Sequence, residues 1–469
     1  MRYAPPKTLN LPMRRLLLFT VLILLAGRLE AQPIAQNITL RCNWMDTTHA
    51  PKVSGQHFND VWGLTVHGKE YAIIGSSNGT HIIDVDACHE VFFYPGRSSH
   101  VIHRDFKTYK NYLYAVADEG PATLQVFDFS YLPDSLHLVY ESDPMDFSRS
   151  HTIFIDTAMA KLYCASFTSI LSGHEYMRIY SLQNPEAPAY LMSYNDFGDV
   201  HAVYVRNDTA YCSSSYSGYL INKFNTPTQT YQTIGGLVSY PYRGFNHSSW
   251  INKEGIGVMA DETFGMPLKV IDTRNIRDPQ VLATFGPRGT DTTSMPHNPY
   301  MLGHYAFISY YQDGLQVYDL SDPNNPRQAG YYDTYPGTSI QQFAGAWGCY
   351  PFLPSRRILV SDMQTGLYVL DASQALSMKN IHALSSELSI YPNPATDQVV
   401  LKLPAGIHGP VKCVAYNALG NTVQEWNMRA PVSGNEAITL PLPLQLRPGV
   451  YMLRAEAGGR LFTGRFTKL

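Results

Sequence analysis

From residue 59 to residue 371, short runs rich in β-branched and aromatic residues alternate with polar turns, and the runs arrive in sets of three or four. The clearest set opens at His151, in Ser-His-Thr-Ile-Phe-Ile-Asp. His201, His247 and His297 open comparable runs, and His103 opens a more divergent one, His-Arg-Asp-Phe-Lys. A second run follows at 111–116, 161–165, 209–213, 255–260 and 304–309, and a third ends on a hydrophobic-Asp step at 124–128, 268–272 and 315–319. Two further sets begin on Trp instead of His, at Trp62 and Trp347. From Trp62 through the five His to Trp347 the intervals are 41, 48, 50, 46, 50 and 50 residues. A repeat of roughly 40–50 residues carrying three or four short strands predicts one propeller blade per repeat. Seven sets predict an all-β, seven-bladed β-propeller.

The ends of the repeat region fit a closed ring. Residues 38–46 resemble the outermost runs at 189–196 and 326–333, whereas the last set, 347–371, has three runs and no fourth. The N-terminal segment is therefore expected to supply the missing outer strand, which removes open sheet edges. This places the propeller at 32–372. Insertions at 166–176, 229–243 and 335–343 are candidate partner contacts, because loops carry variable function. A polar linker, 373–386, leads into a segment of different character, 387–469. Its short runs at 399–403, 411–417, 422–427 and 436–440, split by Gly and Pro, predict a small β-sandwich.

Composition changes this picture little. Tyr is abundant at 33 copies and charged residues make up only 16%, as suits an all-β exported protein. A formal net charge of −3 with no basic stripe gives no reason to expect nucleic acid as a partner. Arg14 and Arg15, the apolar run 16–27, and Arg28-Leu29-Glu30-Ala31 follow the order of a secretory signal, so residues 1–31 are expected to be removed. No other apolar run approaches the ~20 residues that cross a bilayer, so no transmembrane segment is expected in the mature chain. Six cysteines are too few for a disulfide scaffold. Cys164 and Cys212 read as small buried hydrophobes. A Cys42–Cys88 bridge stays open.

Particular stretches resemble known families. Asn59-Asp-Val-Trp-Gly, residues 71–84, the five His-led runs, Leu315-Gln-Val-Tyr-Asp-Leu-Ser-Asp-Pro323 and Gly345-Ala-Trp-Gly-Cys-Tyr-Pro-Phe together resemble the choice-of-anchor B family, exported bacterial proteins related to LVIVD-repeat propellers. The likeness covers about residues 38–372 and departs from the family at His103, where Trp often precedes Arg-Asp. It implies a secreted or surface propeller and no established activity. Tyr391-Pro392-Asn393-Pro394, with the closing Gly-Val-Tyr and Lys-Leu steps at 449–451 and 468–469, resembles the C-terminal sorting domain of the type IX secretion system of Bacteroidetes. That likeness implies the type IX export machinery as a partner, and release from the cell or attachment at its outer surface.

Candidate chemistry lies at the starts of the His-led runs. In a propeller the first strand of each blade is innermost, so His103, His151, His201, His247 and His297 are expected to form most of a ring at one mouth of the channel, with Trp62 and Trp347 filling the rest. Imidazole binds Zn, Cu, Fe and Ni, and copper or zinc would be the first choice of metal. The same side chains serve equally as packing, each hydrogen-bonded to a neighbouring blade, and both readings stand. Asp118-Glu119 and Asp261-Glu262 sit near the mouth, and adjacent strand residues face opposite ways, so at most one of each pair faces the channel. Gly75-Ser-Ser-Asn-Gly79 falls in a hairpin where a nucleophile elbow needs a strand-to-helix turn. The Gly63–Lys69 spacing lacks the Ser or Thr and the helix of a phosphate loop. No nucleophile with a base emerges. The sequence favours an exported binding module for an unidentified protein or glycan over its alternatives, a metal-dependent enzyme using the His ring or a structural surface-layer component.

Overall fold

A computed structural model of the chain describes residues 34–469, apart from 47, 49, 54, 197, 226–227, 229, 288–292, 336–340, 378–385, 404–408, 418–421, 431–436 and 458–459. The expected signal peptide and most of the expected linker lie outside the described residues. The described fold is nearly all β and divides into two compact units, at 376/377.

The first unit holds seven antiparallel sheets with the same local order, each strand hydrogen-bonded to the next in the chain. Their leading strands are Phe58–Val66, Arg104–Tyr109, Arg149–Asp156, Ala202–Arg206, Asn246–Ile251, Asn298–Leu302 and Ala346–Tyr350. Each leading strand packs beside the leading strand of the next sheet, and the seventh packs beside the first. Second and third strands are buried on both faces, as in Lys69–Ser76 and Gly79–Asp84, which is why they read as continuous apolar runs and not as alternation. Fourth strands, such as His89–Pro95, are only partly buried. The leading hairpins turn on two residues with positive φ at His67-Gly68 and Asn207-Asp208, the backbone twist that suits a tight β-hairpin.

The sixth and seventh sheets recruit the N-terminal segment. Ala35–Gln36 adds a fifth strand to the sixth sheet, against Arg327–Tyr332. Thr39–Trp44 is the outermost strand of the seventh, paired with Gly366–Asp371. A disulfide then joins Cys42 of that strand to Cys88, in the turn before the first sheet's outer strand. The first and seventh sheets also approach closely inside: a Cβ on Gly348 would stand 2.2 Å from Asp60 Oδ1. Part of the stretch expected to be linker is a short helix, Ser373–Ser377, whose Ala375 is buried and whose amide donates to the Asn37 carbonyl.

Two of the expected insertions carry regular structure. Residues 166–176 are the ends of a long hairpin, Lys161–Ser169 with Gly173–Ser181, and 229–243 contains the outer strand Thr230–Leu237. Part of 335–343 lies outside the described residues.

The second unit has a five-stranded and a three-stranded sheet. Apolar side chains of both, including Val399, Leu401, Cys413, Leu440, Leu453, Phe462 and Phe466, form one core.

Candidate functional site

The five histidines converge. Ring centroids run 4.4 Å from His103 to His151, 4.2 Å to His201, 4.5 Å to His247 and 4.3 Å to His297. Trp347 closes the circuit, 4.8 Å from His297 and 5.4 Å from His103. Local backbone explains the aim of two of these side chains. His247 and Trp347 fall in register shifts of their hairpins, between Asn246 and Ser248 and between Ala346 and Gly348, where one residue drops out of the ladder and its side chain is redirected. The six rings line a cavity of about 700 Å³ together with Asp118, Glu262 and Tyr311.

Trp62 does not join them. In the first sheet Phe58 pairs with Ser76 and the register shift falls before Val61, so Asn59 and Asp60 occupy the place that His247 holds in the fifth. Asn59 is buried and donates to the Ile102 carbonyl. Trp62 sits three residues further along, where its ring lies 4.8 Å from Tyr350 and 6.4 Å from Tyr300, and its Nε1 donates to Thr108 Oγ1. It belongs to an aromatic cluster with Trp250 and Phe352.

The acid pairs divide at or just past the ends of their strands, Tyr112–Ala117 and Ile256–Asp261, one member of each facing the cavity. Asp118 and Glu262 enter the cavity. Glu119 turns outward, accepting the Ile102 amide and pairing with Lys52 at 2.6 Å. Asp261 turns into its own sheet, where it forms a fully buried ion pair with Lys269 at 2.9 Å and accepts from Asn246 and the Gly244 amide.

Hydrogen bonding round the cavity is uneven. Asp118 Oδ2 is 2.8 Å from His151 Nδ1 and 3.8 Å from His103 Nδ1, and His151 Nε2 is 3.0 Å from His201 Nε2. Glu262 oxygens stand 3.9 Å from His247 Nε2 and 3.6 Å from His297 Nε2, and one accepts from Tyr311 OH. His297 Nδ1 reaches the Trp347 carbonyl, the contact to a neighbouring sheet that a packing role requires. By contrast His103 Nδ1, His247 Nδ1, Asp118 Oδ1 and Trp347 Nε1 are buried with no hydrogen-bond partner among the described residues. Buried polar atoms are nearly always satisfied, so four on residues that line one cavity point to a ligand, an ion or water as a missing partner nearby.

Burial, followed by the charge of neighbouring imidazoles, drives His103 down to about 4 and holds His201 and His247 well below the ordinary histidine value; the same causes act on His297. These four are neutral at pH 7 and keep a lone pair for a ligand. Burial pushes Asp118 up, but the hydrogen bond from His151 and the nearby His103 outweigh it, so its carboxyl titrates below the usual range. Three groups bring ligand atoms within 4.8 Å of one another: His151, His201 and His247; His103, Asp118 and His151; His247, Glu262 and His297.

In the second unit Tyr391, Pro392, Asn393 and Pro394 are exposed, yet Asn393 holds the chain end. Its Nδ2 donates to the Arg465 carbonyl and its Oδ1 accepts from the Thr467 amide, both at 2.9 Å. Residues 389–468 match the secretion system C-terminal sorting domain family. The protein is exported by the type IX system to the cell surface or beyond. Among the described residues no helix is long and apolar enough to cross a membrane. No curated protein matches the chain. Among solved structures it is similar to the computationally designed Ika8 protein, at 10% identity over 66% of this chain and 82% of that one, with a TM-score of 0.43. It is also similar to Hsv2 of Kluyvelomyces marxianus, at 13% identity over 66% of this chain and 90% of that one, again with a TM-score of 0.43.

Ahead of the sorting domain, one buried group of charged side chains escaped sequence reasoning. Asp60, Asp105 and Lys107 are buried together beside His103, lining a small cavity of about 60 Å³ that also touches Trp250 and Tyr300. Asp105 accepts from Lys107 Nζ and from the Ile153 amide, both at 2.6 Å. Burial and the adjacent Asp105 push the Asp60 carboxyl well up, while Lys107 draws Asp105 down against its burial. The signal was in Arg-Asp-Phe-Lys, read above only as a divergent start to a repeat.

Proposed function

We propose that the seven sheets are the blades of a closed seven-bladed β-propeller, spanning about 32–372 and allied to the choice-of-anchor B and LVIVD-repeat proteins, and that the sorting domain is a β-sandwich. On this reading residues 1–31 are the signal peptide. Support for closure comes from the unbroken cycle of contacts between leading strands and from the Cys42–Cys88 bridge between the first and seventh sheets. The exported propeller acts as a binding module at or outside the cell surface, and its ligand site is the cavity ringed by the five histidines and Trp347.

One observation carries this assignment: buried polar atoms without partners gather on residues that line one cavity of about 700 Å³. That volume lies within the roughly 300–1,000 Å³ typical of small-ligand sites. Rigid strands hold the lining in place, which lowers the entropy cost of binding. Trp347 supplies the readout. A panel of envelope oligosaccharides and short peptides is titrated against the mature exported chain and its Trp347→Phe variant. The expected result is at least one compound that changes wild-type tryptophan emission and leaves the variant's unchanged. A panel that binds elsewhere, with equal emission change in both proteins, would overturn the assignment.

A further inference from the structure

We infer that the cavity holds one divalent transition-metal ion, of the zinc and copper class, on His151, His201 and His247; this rests on the cavity being the ligand site. The three side chains come from three consecutive sheets and offer nitrogens within 4.8 Å of one another. The tightest approach is between His151 Nε2 and His201 Nε2, at 3.0 Å. Two nitrogens bound at about 2.05 Å with a tetrahedral angle stand about 3.3 Å apart. For this pair only a few tenths of an ångström separate the two arrangements, and His247, whose nitrogen lies within 4.8 Å of both, closes in on the ion.

Asp118 decides among the three candidate triads. Its Oδ2 lies 2.8 Å from His151 Nδ1, which places the ring proton on Nδ1 and leaves Nε2 as the donor toward His201. A carboxylate on the far nitrogen of a ligating histidine is the usual supporting partner in metal sites, where it fixes ring orientation and tautomer. Asp118 is therefore a positioning residue and His103 lies outside the ligand set. On the other side the Glu262 oxygens stand at 3.6 and 3.9 Å from His297 and His247, but one is already engaged by Tyr311 and the far nitrogen of His297 rests on the Trp347 carbonyl instead of a carboxylate. Three imidazole ligands leave a fourth position facing the cavity, open to water or to an oxygen atom of the incoming ligand.

The test is calorimetric titration of the metal-stripped exported chain with zinc chloride, together with the absorption spectrum of the cobalt(II)-loaded protein. Wild type is expected to bind about one equivalent with a tetrahedral cobalt spectrum. His201→Ala should abolish binding, and Asp118→Asn should weaken it about 10- to 100-fold with the stoichiometry unchanged. Glu262→Gln and His103→Gln should bind as wild type, each with circular dichroism and melting checked first. Folded wild type that takes no zinc overturns the proposal, as does loss of binding in Glu262→Gln or His103→Gln with retention in His201→Ala. If zinc fails to bind while a panel compound still perturbs Trp347, the metal falls and the ligand cavity stands; if neither binds, both fall.

Discussion

The disulfide offers a measurable handle on how the first unit is closed. Cys42 lies in the strand that completes the seventh sheet and Cys88 in the first sheet, with a sequence separation of 46. Cutting the bond frees a loop of that length in the denatured chain, which by the chain-entropy relation is worth about 4 kcal/mol. For a unit of roughly 340 residues, an unfolding entropy of about 2.1 cal/mol/K per residue gives about 0.7 kcal/mol/K, so the expected drop in melting temperature is about 6 °C. The Cys42→Ala/Cys88→Ala pair is compared with wild type by scanning calorimetry at one scan rate, with and without reductant. Thiol titration provides the control: the denatured, unreduced wild type should release the four thiols of Cys164, Cys212, Cys349 and Cys413. Reduction should raise that to the full six cysteines. If all six thiols titrate without reductant, or if the variant melts with wild type, the bond does not hold the first and seventh sheets and the reasoning fails.

Acidification should destabilise the metal-free protein. His103 binds its proton near 4 when folded and near 6.5 when unfolded, so its contribution is complete above about pH 6.5 and is lost as pH falls toward 4; this one group accounts for about 3 kcal/mol, and His201, His247 and His297 act in the same sense. Urea midpoints measured at pH 7.5 and pH 4.5 should differ accordingly, and equal midpoints would contradict neutral buried imidazoles. Lys269→Ala strands Asp261 in a fully buried site and should cost about 3–5 kcal/mol, whereas Lys269→Met with Asp261→Leu should recover most of the loss; urea unfolding reads both. Asn393→Ala removes two hydrogen bonds to the final strand, and hydrogen exchange at the Thr467 amide should accelerate by about 5- to 30-fold, reflecting about 1–2 kcal/mol.

The histidines were legible because each opens an apolar run at an even spacing, and a repeated local environment imposes a repeated side-chain direction. Trp62 misled because Trp-Gly occurs both there and at Trp347, while hydrogen-bond register and not dipeptide identity sets what points inward. The short interval of 41 residues before His103 was the warning, since counting from Asn59 restores 44. Which member of Asp118-Glu119 and Asp261-Glu262 faces the cavity could not be read, because the strands end at Ala117 and Asp261 and alternation no longer governs the residues beyond. The Cys42–Cys88 bond and the Asp60–Asp105–Lys107 group join residues brought together by the meeting of neighbouring sheets, and local pattern carries no trace of such contacts. Asn393 was singled out by its motif, but its partners Arg465 and Thr467 lie more than 70 positions away.

Charge accounting narrows what the cavity can take. Beside it, the buried Asp105 is paired with Lys107 at 2.6 Å. The lining itself contains no Lys or Arg among the described residues, and four of its five histidines are neutral at pH 7. Asp118 and Glu262 are the acidic side chains of this lining, so the site favours a cation over an anion. A phosphate or sulfate entering the bare protein would meet two acidic side chains and no Lys or Arg, and should bind poorly at neutral pH. A divalent ion is drawn in, and once bound it reverses the local sign and gives an oxygen ligand something to hold. Metal first and organic ligand second is therefore the order the electrostatics favour, and an oxyanion that binds the metal-stripped chain as tightly as the loaded one would break that link.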